Sequence, residues 1–188
     1  MRRLFTLAFA LLICVAANAS AAAQQRPTAD QLLANATAAA ARQHKHIFLV
    51  FGASWCPPCR QLATFLADRQ MRPLIDKHFV VADLRVEEER GKHPELNTPG
   101  GDKLRADFGG KDSGVPFIVF LDEHGQPVVN SNRPVKDKMQ GENVGYPVLP
   151  EEIEWFMTML HRAVPEMASR DADAVEKWLR NVAASQTP

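Results

Sequence analysis

Apolar positions along this chain switch between two periods. Ile47, Phe48, Leu49, Val50 and Phe51 follow one another without a polar break, the pattern of a strand covered on both faces. After the small-residue turn Gly52-Ala53-Ser54, Leu62, Phe65 and Leu66 recur at helical spacing and predict a helix over 57–70. Met71-Arg72-Pro73 is expected to interrupt or kink it. Residues 79–86 read as a second strand, parallel to the first, because the intervening helix supplies a right-handed crossover. Upstream, Thr28 or Asp30 caps a helix that carries Leu32, Leu33, Ala36 and Ala40. Downstream, Glu87 to Arg90 reads as a solvated charge run, 91–101 as irregular, and 103–108 as a short helix. Val115 to Leu121, a turn at Asp122-Glu123-His124-Gly125, and 126–130 form a β-hairpin. Residues 131–149 are polar, punctuated by Gly and Pro, and read as a long loop. Pro150 opens a helix with Glu151 and Glu152 at its positive end and Ile153, Phe156, Met157 and Leu160 as its core stripe. A last amphipathic helix covers 171–182.

The first 23 residues stand apart. Arg2-Arg3, an apolar run from Leu4 to Ala17 and small residues ending at Ala19 or Ala23 make the pattern of a secretory signal, bacterial in style. The apolar run is short for a membrane span, and a retained anchor is the alternative. Ile13 precedes Cys14 where lipid attachment wants a small residue, so Cys14 reads as packing within the signal. Cleavage after Ala23 leaves 24–188, enough for one domain with a full core and too little for two. The whole chain balances 22 basic against 22 acidic residues, and losing Arg2 and Arg3 leaves an excess of two acids. Nothing in that balance attracts nucleic acid or an anionic membrane.

Only two cysteines then remain, and both lie in Trp55-Cys56-Pro57-Pro58-Cys59. A strand, a tight turn and a helix start place them in the first helical turn, where Pro is tolerated because its missing N–H has no intrahelical partner. Free N–H groups and the positive end of the helix stabilise a thiolate there. Cys56 is thus the expected nucleophile, exposed, and Cys59 the resolving thiol, inside the turn, closing an intramolecular disulfide. A purely structural disulfide and a zinc half-site are the competing readings, and the zinc site lacks a second ligand pair. An exported protein whose one pair forms a CxxC uses it for redox work more readily than for cross-linking its fold.

In these residues the chain resembles the thioredoxin superfamily, whose active site reads Trp-Cys-x-x-Cys after a buried strand. Gly114-Val115-Pro116-Phe117 matches that family's second element, a cis proline facing the cysteines. The resemblance covers about 45–161 and implies a thioredoxin-like α/β fold. Its centre would be a mixed sheet of about four strands flanked by helices, with extra terminal helices. It also implies a thiol–disulfide oxidoreductase in which Val115 and Pro116 bind the substrate strand and Trp55 forms an apolar lip. The expected partners are protein thiols or disulfides and an upstream electron donor or acceptor. The expected redox group is the cysteine pair alone, with no metal and no other cofactor, in a monomer of the periplasm or outside the cell. The family's buried Asp is replaced by Val50, and Asp83 on the next strand is the candidate substitute as proton acceptor. Pro57-Pro58 adds no donor to the thiolate, which favours a reductant or relay. Similar WCPPC sequences occur in reducing members of the superfamily, including tryparedoxins. An oxidase or isomerase, a non-catalytic binding module using 131–149 and the last helix, and metal handling with His93 or His124 are the alternatives.

Overall fold

The computed structural model describes residues 26–186, so the signal-like segment and Cys14 lie outside the described residues. Four strands form the central sheet in the order β2-β1-β3-β4: β1 (His46–Gly52), β2 (Phe79–Arg85), β3 (Phe117–Leu121) and β4 (Pro127–Asn130). β1 runs parallel to β2 and antiparallel to β3, placing Val50 beside both Asp83 and Ile118. Successive side chains of β1 point to opposite faces, and both faces are covered. Phe48 and Val50 enter one core with α2 (Pro57–Ala67), α3 (Met71–His78), α5 (Pro150–Ala163) and α6 (Ser169–Gln186). Ile47, Leu49 and Phe51 enter a second core with α1 (Ala29–Gln43) and α4 (Gly101–Asp107). The result is a three-layer α/β fold with the uninterrupted apolar β1 in its middle layer.

Aromatic rings dominate the first core. Phe48 meets Phe120 edge-on with centroids 4.7 Å apart, and Phe120 lies 4.9 Å from Phe79. Phe65 of α2 packs on Phe156 and on Trp178 of α6, locking the cysteine-bearing helix to the C-terminal helices. Lys77 and Asp171, 2.8 Å apart, add an ion pair between α3 and α6. Thr28 caps α1 through a capping box with Gln31, one of the two starts expected from sequence.

Three expectations need correction. The break after α2 falls at Asp68, not at Pro73. The Asp68 carboxylate accepts hydrogen bonds from the Gln70 and Met71 N–H groups, so a new helix starts there. Pro73 sits in the first turn of that helix, where its lack of a donor costs nothing. Second, 131–149 is not loop throughout. β5 (Asn132–Val135) and β6 (Lys138–Asn143) pair as a separate antiparallel hairpin outside the main sheet. It covers no core, so its strands carry no apolar alternation to reveal them. Third, the charge run is not fully solvated. Glu88 is wholly buried in a short 3-10 turn (Glu88–Gly91).

Candidate active site

Cys56 caps α2 and Cys59 lies in its first turn, with Cα atoms 5.3 Å apart and the sulfurs joined as a disulfide. The Cys59 N–H donates to Cys56 Sγ at 3.2 Å. That contact, together with a first turn free of acidic residues, is the arrangement that stabilises a negative charge on Cys56 once the bond is reduced. Cys56 Sγ also lies 3.3 Å from the Val115 carbonyl oxygen, and the Val115–Pro116 bond is cis.

Two clamps hold this arrangement. On one side, the Glu88 carboxylate accepts from Ser54 N–H at 2.7 Å and Ser54 Oγ at 2.6 Å. Trp55 Nε1 donates to the Glu87 carbonyl at 2.7 Å, and the Arg90 guanidinium lies 4.5 Å above the indole. A Cβ on Gly91 would come within 2.9 Å of Trp55 Cδ1, so only glycine allows this close approach. Burial pushes the Glu87 carboxyl up, but hydrogen bonds from Arg105 and Arg90 outweigh it and hold the group below its ordinary value. On the other side, Asn143 Nδ2 donates to the Gly114 and Pro116 carbonyls at 2.8 and 3.0 Å. Ser131 Oγ donates to Asn143 Oδ1 and itself accepts from the Ile118 N–H. A groove of about 770 Å³ runs between Val115-Pro116, Pro58 and the β5–β6 hairpin.

The profile of the family described as thioredoxin-like matches residues 28–123. The chain belongs to the thioredoxin-like family. It is 34% identical to tryparedoxin of Trypanosoma brucei brucei over 84 residues, 41% of this chain and 58% of that relative. The disulphide isomerase of Xylella fastidiosa Temecula1 superposes with a TM-score of 0.45 at 20% identity, over 80% of this chain and 87% of that one. A thioredoxin from Thermus thermophilus gives 0.40 at 27% identity, over 52% and 68%.

Within this thioredoxin-like site Trp55, Cys56, Cys59, Val115 and Pro116 converge. Asp83 joins them from β2. The position a Cβ on Gly52 would take lies 3.6 Å from Cys59 Sγ and 3.8 Å from Asp83 Oδ1. Burial raises the Asp83 carboxyl above its ordinary value, against the pull of Arg85. Half of its side chain remains open to solvent.

The exposure of the two cysteines is the reverse of the expectation. Cys56 is 1% exposed, because the Val115-Pro116 loop closes over its sulfur, whereas Cys59 is half-buried beside the edge strand β2. Sequence reasoning missed Glu88 and Asn143. Both are polar residues in polar surroundings, and nothing local marks them as partners of Ser54 and Pro116. Among the described residues no cluster of three or more metal-ligating side chains forms, so neither His93 nor His124 joins the cysteines in one.

Proposed function

We propose that this chain is an extracytoplasmic thiol–disulfide oxidoreductase that reduces, or relays electrons to, disulfides of protein partners. The observation that carries the reading is the disulfide at the head of α2, with the Cys59 N–H on Cys56 Sγ and the Val115 carbonyl beside it. In the reduced protein the Cys56 thiolate attacks a partner disulfide. A Cys56–partner bond forms, and the partner's other sulfur leaves as a thiolate. Asp83 accepts the Cys59 proton, and Cys59 attacks Cys56 Sγ. The intramolecular disulfide closes and the partner's second sulfur is released. The Val115 backbone pairs with the partner's extended segment, and Trp55 forms the apolar lip. The cysteine pair is the redox group, and this chemistry calls for no other cofactor. Residues 1–23 act as the export signal, and 24–188 work as one domain in the periplasm or outside the cell.

Insulin reduction with dithiothreitol as electron source tests the reading. Wild type should accelerate it, and Cys56→Ser should run no faster than dithiothreitol alone. Wild type matching the uncatalysed rate would reject the enzyme. A reduction potential near that of strong oxidants, about −120 mV, would reverse the direction.

A further inference from the structure

The two clamps around Cys56 meet at one buried cation. Arg105 of α4 is 7% exposed. Its Nη1 donates to Glu87 Oε1 at 2.6 Å and to the Ser113 carbonyl at 3.3 Å, and its Nη2 donates to Asp102 Oδ1 at 3.2 Å. Glu87 is the residue whose carbonyl receives the Trp55 indole N–H. Its other carboxylate oxygen receives Arg90, which stacks on that indole. Ser113 leads directly into Gly114, Val115 and the cis proline, the segment whose carbonyls Asn143 holds. One guanidinium thus reaches the segment behind Trp55 and the segment behind Val115.

Core packing does not account for this placement. Burying a charge is costly, and replacing a buried ion pair by apolar side chains is often neutral or stabilising. Arg105 Nε has no hydrogen-bond partner among the described residues, so the cation is not even fully satisfied. Glu87 meanwhile holds φ at 56°, in the left-handed region. A non-glycine residue stays there only where its surroundings fix it, and such strain gathers at binding and active sites. The contacts that fix Glu87 are those with Arg105, Arg90 and Trp55.

We propose that Arg105 is a positioning residue for protein partners: it sets the spacing between the Trp55 lip and the Val115–Pro116 segment, so that a partner's extended strand meets both at once. The inference rests on the redox reading above and adds to it a residue bonded to neither cysteine. Without the bridge each side keeps its own clamp, Glu88 on Ser54 and Asn143 on the Gly114 and Pro116 carbonyls. The cysteine pair also keeps the start of α2. Chemistry at Cys56 is then retained, while a strand that spans both sides binds more weakly. Loss of the guanidinium should therefore raise KM and leave kcat nearly unchanged.

Arg105→Met removes the donors and keeps most of the apolar stem. Insulin reduction by wild type and by Arg105→Met is followed over a range of insulin concentrations, with dithiothreitol as electron source. A KM severalfold above wild type at nearly unchanged kcat is expected. A wild-type KM, or a loss confined to kcat, overturns the proposal, whereas absence of turnover in wild type rejects the redox reading. A second readout needs no turnover. In oxidised, nitrogen-15-labelled protein, Arg105→Met should move the Trp55 indole N–H signal and the Gly114 and Val115 amide signals together. A change confined to one side of Cys56 overturns the bridge. Should Arg105→Met fail to fold, Glu87→Gln decides, because it neutralises the carboxylate that Arg105 meets and should raise KM in the same way. An unchanged KM there overturns the proposal.

Discussion

At Asp83 burial and ion pairing pull in opposite directions. Packing against the Val50 side of the sheet raises the carboxyl, and Arg85, 3.7 Å away, lowers it, with burial the stronger. The folded-state value therefore lies above the unfolded one. The contribution of this group to stability is fully present below the unfolded carboxylate range and is lost as pH rises through the folded value. Asp83→Asn, which cannot ionise, should accordingly gain stability relative to wild type between about pH 3 and pH 7. Urea midpoints of the two proteins across that range measure it, and a constant difference counts against the raised carboxyl. The acid in β2 was legible because it stands among apolar residues in sequence. Its place on the strand next to β1 was legible too, and the parallel register that sets Asp83 beside Val50 was not.

Elements carry the next level of organisation. The segment after β2 folds back through two 3-10 turns, Glu88–Gly91 and Pro94–Leu96, and delivers Glu88 to Ser54 and Glu87 to Trp55. Glu88→Ala removes the acceptor of two charge-assisted hydrogen bonds from Ser54 and should cost about 1–3 kcal/mol in chemical unfolding. Glu88→Gln should recover part of it, because an amide accepts from Ser54 N–H and donates to Ser54 Oγ. Equal losses in the two variants would mean that the carboxyl's shape matters less than its charge. Elements with an apolar period were readable in advance, among them β1, α2, α5 and the β3–β4 hairpin. Elements held by polar contacts were not. Asp68 ends one helix and starts the next through two backbone hydrogen bonds, a role that Pro73 concealed. The four-residue charge run looked like solvated surface because sequence does not say which of its members turns inward.

Over the whole molecule, one face of the disulfide depends on a part that the central sheet does not require. Asn143, at the end of β6, holds the Gly114 and Pro116 carbonyls, and the β5–β6 hairpin forms one wall of the groove. Asn143→Ala should slow insulin reduction severalfold, because it releases the Gly114 and Pro116 carbonyls on either side of the Val115 carbonyl that meets Cys56 Sγ. An unchanged turnover rate would show that Asn143 does not position the Val115–Pro116 segment. The hairpin covers none of the core, and polar contacts from Asn132 and Asn143 tie it to the Gly109 and Gly114–Pro116 segments. A wall built from polar contacts leaves the disulfide's own surroundings to α2, so side chains on the hairpin's exposed positions can change with little effect on the sulfur pair.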